Sequence, residues 1–306
     1  MTPAISSIHL FEILNKYKDS PFIFVESGGN HGDFLIYRGA KKIFDIVGIK
    51  YRSVDHDEFL SMEIANDTVI YINGGGSFND LWRQRPIDDF IKGINSCAKA
   101  LILGPTTFTE KTDFLISRVF SKIGHITDKK VYLFCREEPS YLTVKRIVPA
   151  HFEVLIDHDT ALNLSAEDLT NIIPKGKNIL YAIREDKEQQ NFERLNLFNL
   201  WIDPIKLCAS FDDWIALHAN AKKIVTNRLH SSILGTILGK SVTLLPNSYY
   251  KNRSVWEYSL KCKGVIWQNT IDISPLASIL MRSKPYKWVG NSYKVKKFCK
   301  KLYGIE

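Results

Sequence analysis

Lys223-Ile224-Val225-Thr226-Asn227-Arg228-Leu229-His230, continued by Ser231-Ser232-Ile233-Leu234-Gly235-Thr236-Ile237-Leu238-Gly239, decides the fold. Four strand-forming residues run into a polar turn. An apolar stretch with helical spacing follows, read as a helix over Ser231–Gly239. In an open α/β sheet such a junction is where ligands bind. The N–H groups of a helix start attract anions there. Arg228 adds a planar fork suited to phosphate or carboxylate. His230 adds a group able to carry a proton near neutral pH. The stretch points to a small anionic substrate and proton-transfer chemistry.

Outward from this motif, the rhythm repeats. Asn178 to Ile183 reads as a strand ended by Arg184, Phe211 to Ala219 as a helix, and Ser241 to Leu245 as a strand. Arg184 and Arg228 therefore sit at matching strand ends and could form a two-arginine clamp. Lys251, on the exit loop of the next strand, is a third candidate cation. Upstream, strands are expected at Phe22–Val25, Lys50–Val54, Thr68–Ile72, Ala100–Leu103 (closed by Gly104-Pro105), Val131–Cys135 and Glu153–Ile156. A helix over Phe34–Val47 has Leu35, Ile36, Gly39, Ala40, Ile43, Phe44 and Val47 on one face and Gly48 as its stop. Alternating strands and helices imply parallel sheets with right-handed crossovers. The pattern breaks between Leu162 and Lys177. The expected class is α/β, with two Rossmann-like parallel-sheet domains facing a cleft, over residues 1–164 and 165–280. Residues 281–306 are expected to form a basic helix that could cross back to the first domain.

Two glycine-rich loops follow first-domain strands. Glu26-Ser27-Gly28-Gly29-Asn30-His31-Gly32-Asp33 lacks both G-x-G-x-x-G spacing and a Walker lysine. It reads either as a tight turn with Asp33 as helix N-cap, or as a wall contacting a substrate hydroxyl through Asn30, His31 and Asp33. Gly74-Gly75-Gly76 costs chain entropy, which implies close approach of a ligand or of another backbone. Arg136-Glu137, with Ser140 after it, reads alone as a salt-bridged strand end.

Composition sets the outer limits. With 45% hydrophobic and 24% charged residues, the chain is of the soluble globular type. No apolar run reaches spanning length and the start lacks a secretory layout, so a cytoplasmic address is expected. The five cysteines are odd in number and widely spaced, so they are expected to be reduced and mostly buried. No pair has metal-ligand spacing. The formal charge is +8, and residues 282–306 alone hold eight Lys/Arg against one acidic residue, a net of +7. The rest is close to neutral, which argues against a nucleic-acid binder. The tail, with Lys294, Lys296, Lys297, Lys300 and Lys301 around Val295, Phe298 and Leu302, reads as a solvated helix or as one near anionic headgroups.

Taken together, Gly29-Asn30-His31-Gly32-Asp33, Gly74-Gly75-Gly76, Arg136-Glu137 with Ser140, Asp159-Thr160-Ala161, Arg184, Thr226-Asn227-Arg228-Leu229-His230 and Lys251 stand in an order that resembles the polysaccharide pyruvyl transferase family. The resemblance covers roughly Phe22 to Leu260. It departs from the family where Glu137 and Thr160 stand, positions often Asp and Pro. It implies a two-domain GT-B-like protein that moves pyruvate from phosphoenolpyruvate onto two sugar hydroxyls as a cyclic ketal. It also implies a donor site at Arg184, Arg228, Leu229 and His230, with Lys251 as a further cation. The acceptor would meet Gly29, Asn30, Gly32, Asp33, Gly74, Gly75, Gly76 and Arg136. Phosphoenolpyruvate would be a co-substrate, with no further cofactor and no metal, since arginines can carry the charge stabilisation. His230 would act as general acid or orient the phosphate, and Asp33 or His31 would orient or deprotonate the acceptor. The acceptor would be a surface polysaccharide or its lipid-linked precursor, which would place the protein at the inner membrane face. Two other readings are a nucleotide-sugar glycosyltransferase of the same shape and a non-catalytic glycan-assembly protein.

Overall fold

A computed structural model describes residues 6–271, apart from 83, 125–128, 172, 175, 177 and 191–200. The chain divides into two compact units, Met1–Leu164 and Ser165–Glu306.

The first unit is built on a seven-stranded sheet: β1 (Phe22–Glu26), β2 (Tyr51–Asp55), β3 (Val69–Ile72), β4 (Gly75–Phe78), β5 (Ala100–Phe108), β6 (Lys130–Cys135) and β7 (Phe152–Ile156). The order is β2-β1-β3-β5-β6-β7, with β4 paired to β5, and every pairing is parallel. Central strands β3 and β5 are buried along their whole length, as apolar runs covered on both faces require. Side chains alternate between two cores. Ile23, Val25, Ile70 and Ile72 join one, while Phe22, Phe24, Val69 and Tyr71 join the other. The helix His31–Val47 covers the second face, with Phe44 edge-on to Phe24 at 5.3 Å between ring centroids. Gly39 lets that helix touch the turn Thr160–Asn163: a Cβ there would lie 2.1 Å from the Thr160 carbonyl oxygen.

The second unit has a five-stranded parallel sheet of β8 (Asn178–Ala182), β9 (Trp201–Ile202), β10 (Ala221–Thr226), β11 (Ser241–Leu244) and β12 (Ile266–Trp267). Its order is β12-β11-β10-β8-β9. The helix Leu229–Ile237 packs on β10 and β11 through a glycine, since a Cβ on Gly235 would come within 2.7 Å of Ile224.

Each sheet reverses direction once. In the first, the chain leaves β1 for β2 on one side and returns to β3 on the other. In the second, it leaves β8 for β9 and returns to β10. The crevices at the carboxyl ends of β1/β3 and β8/β10 are therefore the places where such sheets bind ligands.

Several local expectations need correction. Gly104-Pro105 does not close its strand; β5 runs on to Phe108, and its register with β6 shifts between Leu103 and Thr106. A bulge of this kind accommodates a proline, which cannot donate to the ladder. Asp33 is not the N-cap. The helix starts at His31 with Asn30 as cap, three residues earlier than the apolar periodicity indicates. The helix expected from Ser231 starts at Leu229, which moves His230 into its first turn. The short strands β4, β9 and β12 lack the apolar run that makes a strand legible. Cys135 and Cys208 are buried, but Cys97 and Cys262 are exposed, so burial holds for two of the four described cysteines. The basic tail lies outside the described residues. Among those described, no helix is long and apolar enough to cross a membrane.

Candidate functional site

The β8/β10 crevice of the second unit gathers the predicted cations. Arg184 is the second residue beyond β8, and Asn227-Arg228 follow β10 directly. The two strand ends are tied together, because the Arg184 backbone N–H donates to Asn227 Oδ1 at 2.8 Å. Asn252 Nδ2 donates to the carbonyls of Asn227 (2.8 Å) and Leu245 (3.0 Å), which anchors the helix Lys251–Val255 to the same edge. Lys251 thereby reaches the two arginines' neighbourhood from a buried position. Arg228 is the N-cap of the helix Leu229–Ile237, so the first-turn N–H groups begin at this crevice. Leu229 is buried and His230 is half-buried in that first turn.

Three carboxylates, none singled out by the sequence, complete the cluster. Asp203 receives Arg228 bidentately, Nε to Oδ1 at 2.7 Å and Nη2 to Oδ2 at 2.6 Å. Asp186 bridges both arginines: Arg184 Nε and Nη2 donate at 2.8 and 3.0 Å, and Arg228 Nη2 donates at 2.9 Å. Glu188 receives Arg184 Nη1 at 2.6 Å, Asn247 Nδ2 at 3.2 Å and the Lys251 ammonium. Burial pulls the Arg184 pKa down, but Glu188 and Asp186 more than reverse it, so the guanidinium stays firmly charged. Burial likewise raises the Asp186 carboxyl, and Arg184 and Arg228 override it, holding it below the usual range. Among the described residues, three positive and three negative side chains thus meet at one sheet edge, with a formal sum of zero. The signal that could have found Asp186 and Glu188 is the charged run Arg184 to Glu188, which in sequence looks like a solvated face. Asp203 precedes Pro204 and caps a short helix, a role legible in sequence, but its pairing with Arg228 is not.

The β1/β3 crevice of the first unit carries the glycine loops. Asn30 Oδ1 accepts the Gly32 N–H and an Asp33 carboxylate oxygen accepts the Asn30 N–H, both at 2.8 Å, a reciprocal cap. Gly29 is needed for this cap, because its φ is +141° and a Cβ there would lie 2.2 Å from Asp33 Oδ2. Gly74 is explained by backbone: its Cβ would meet the Pro105 carbonyl oxygen at 2.2 Å. Gly75, at φ +149°, is different. A Cβ there would meet nothing nearer than Asp33 Oδ1 at 3.6 Å, so Gly75 and Asp33 face one another across the crevice. Gly76 continues into β4. His31 is the first helical residue and is half-buried.

Sequence reading missed further residues at this edge. Arg85 is exposed, lies 3.6 Å from the Cβ position of Gly28, and has no ion-pair partner among the described residues. His56 follows β2, and its Nδ1 stands 2.7 Å from Asp89 Oδ1 in a buried pair. Burial raises the Asp89 carboxyl above its ordinary range, with His56 opposing.

Arg136 is placed elsewhere. Its side chain is 1% exposed, with Nη1 on Asp159 Oδ2 at 2.7 Å and Nε on Thr107 Oγ1 at 2.8 Å. Glu137 caps the following helix by accepting the Ser140 N–H at 2.9 Å, and Ser140 Oγ accepts the Phe108 N–H at 2.8 Å. Arg136, Glu137, Ser140 and Asp159-Thr160 thus lock β5, β6 and the first unit's last turn together. Arg136 takes the arrangement of a salt-bridged strand end. Among the described residues there is no cluster of His, Cys, Asp or Glu that could hold a metal ion.

Residues 30–249, which take in most of both crevices but stop short of Gly28, Gly29 and Lys251, match the family model described as polysaccharide pyruvyl transferase. The chain is similar to "Putative pyruvyl transferase EpsO" of Bacillus subtilis (strain 168), with 23% identity over 286 residues, covering 79% of this chain and 86% of that one. Its structure is similar to the crystal structure of an uncharacterised protein from Klebsiella pneumoniae subsp. pneumoniae NTUH-K2044. That likeness has a TM-score of 0.64 and 25% identity, and it covers 86% of this chain and 98% of the other.

Proposed function

The chain belongs to the polysaccharide pyruvyl transferase family, and on that footing we propose that it moves pyruvate from phosphoenolpyruvate onto two hydroxyls of a glycan sugar as a cyclic ketal. The observation that carries this reading is the convergence of Arg184, Arg228 and Lys251 at the β8/β10 switch point, beside the helix start that bears His230. Phosphoenolpyruvate needs cations for its phosphate and its carboxylate. It also needs a proton at its terminal enol carbon, so that the adjacent carbon becomes electrophilic. The two guanidinia and the ammonium bind and orient the anionic groups. His230, in the first helical turn, delivers the proton or steadies the phosphate that leaves. Each sugar hydroxyl loses its proton as it attacks; the enol carbon keeps the proton it gained, and phosphate departs.

The acceptor is assigned to the β1/β3 crevice of the first unit, where Asn30, Asp33, Gly75 and the exposed Arg85 meet. Asp33 is already engaged as the acceptor of the Asn30 N–H, so it orients a hydroxyl better than it removes its proton. His31 is the alternative base.

The test is thermal denaturation of the purified protein with phosphoenolpyruvate or, separately, with nucleotide sugars. Stabilisation by phosphoenolpyruvate and not by nucleotide sugars supports the reading. The opposite result would favour a glycosyltransferase, and a shift with neither would favour a glycan-assembly role.

A further inference from the structure

Among the described residues, the charges of the donor cluster balance. Its three cations face three carboxylates, yet the ligand it is proposed to take brings two anionic groups of its own. A ligand carrying two or more negative charges gains little from a site whose formal charge is zero. The carboxylates are not alike. Asp203 ends the turn after β9, caps the helix Pro204–Leu207 by accepting the Ile205 N–H at 3.2 Å, and accepts the Glu185 N–H at 3.0 Å. Its side chain is 1% exposed and grips Arg228 with both oxygens. It is a fixed part of the scaffold. Asp186 and Glu188 instead ride on the irregular segment that follows Arg184, in neither helix nor strand. Asp186 lies between the two guanidinia and is 21% exposed. Glu188 lies between Arg184 and Lys251. The two therefore occupy two anion positions that share Arg184.

We propose that Asp186 and Glu188 hold the places of the donor's two anionic groups, and that binding exchanges these carboxylates for the ligand's own. This rests on the donor reading only for the ligand's identity; the exchange itself applies to any small molecule with two anionic groups. Exchange restores a net positive site at the moment of binding, and between ligands it spares the protein an unpaired buried cation triad. It also sets the ligand class. A molecule with one anionic group can displace one carboxylate but leaves the other in place, whereas one with a phosphate and a carboxylate displaces both. Asp186, the more exposed, is the first to leave.

The opposing role is structural: the carboxylates merely hold the arginines in position. The two roles predict opposite signs. The experiment is calorimetric titration of the full chain with inorganic phosphate and, separately, with phosphoenolpyruvate, for wild type, Asp186→Asn, Glu188→Gln and Asp203→Asn. If the exchanged state is about one-tenth populated in the free protein, removing the competing carboxylate tightens phosphate binding about tenfold. The expected result is tighter phosphate binding in Asp186→Asn, a smaller gain in Glu188→Gln, and weaker binding in Asp203→Asn. Glu188→Gln keeps an acceptor for Asn247, so it decides the matter should Asp186→Asn not fold. Unchanged or weaker phosphate binding in the folded Asp186 and Glu188 variants overturns the proposal. Tighter phosphate binding with no response to phosphoenolpyruvate in any protein would sustain the exchange and refute the donor assignment.

Discussion

Removing Arg228 should cost stability as well as binding, and the structure allows the two to be separated. Among the described residues, the Arg228 guanidinium is the only charged partner of Asp203, whose side chain is 1% exposed. Arg228→Met leaves that carboxylate buried with two backbone N–H donors, from Glu185 and Ile205, and no cation. Breaking a buried pair from one side costs about 3–5 kcal/mol. The two N–H donors offset part of this, so we take the lower end, about 3 kcal/mol. At about 2–4 °C per kcal/mol for a protein of this class, the transition should fall by about 6–12 °C. Arg228→Met with Asp203→Asn removes both charges, and the asparagine Oδ1 can still accept the Ile205 N–H. That double variant should recover to within about 1 kcal/mol of wild type. Binding of phosphate or phosphoenolpyruvate should be lost in both. Urea unfolding and calorimetry of the four proteins give the cycle. A single variant that costs less than about 1 kcal/mol, or a double variant no more stable than the single, would rule out an unpaired buried Asp203 as the source of the loss.

Three further outcomes follow from named contacts. Gly74→Ala places a methyl 2.2 Å from the Pro105 carbonyl oxygen, so urea unfolding should show a loss of about 1–3 kcal/mol or more. Burial pushes the Asp157 carboxyl up to about 6, against the N–H groups of Leu10 and His158; its folded value lies above the unfolded one, so its contribution to stability is present at low pH and falls as pH rises from about 4 to about 6. Asp157→Asn, which can still accept both N–H groups, should flatten the stability–pH curve in that window, and an unchanged curve would remove Asp157 as its cause. His230→Gln should lower turnover about 10²–10⁴-fold while leaving phosphoenolpyruvate affinity near wild type, read from steady-state rates beside calorimetry; a wild-type rate would remove His230 from proton transfer.

The sheets were legible because their central strands are apolar runs bounded by turns. Phe22–Glu26, Val69–Ile72, Lys130–Cys135 and Ala221–Thr226 lie within two residues of what the pattern gives. What escaped was structure set by tertiary contact. Gly104-Pro105 looks like a stop, and only the pairing of β5 with β6 carries the strand past it. The helix at His31 starts early because Asn30 and Asp33 cap each other, a local interaction outside any hydrophobic period. The site was legible in its cations, since each follows or approaches a strand end. Its anions were not. Asp186 and Glu188 sit in a run of alternating charge that ordinarily faces water, and Asp203 is 25 residues from the arginine it holds. Gly74 and Arg136 show the converse: both stand out in the sequence, and both are accounted for by packing and a buried ion pair in the first unit.

The proposed reaction is pyruvyl transfer from phosphoenolpyruvate, with the β8/β10 crevice as donor site. Its most direct measurement is acceptor-dependent phosphate release. Wild type and Arg228→Ala are incubated with phosphoenolpyruvate and a panel of glycans or lipid-linked oligosaccharides, and the glycan product is examined by mass spectrometry and NMR for a ketal. Phosphate release is expected only when a competent acceptor is present, with a pyruvate ketal on that acceptor in equal amount and loss of both in Arg228→Ala. Glycan modification from a nucleotide sugar with phosphoenolpyruvate left intact, or ketal formation undiminished in Arg228→Ala, would contradict it.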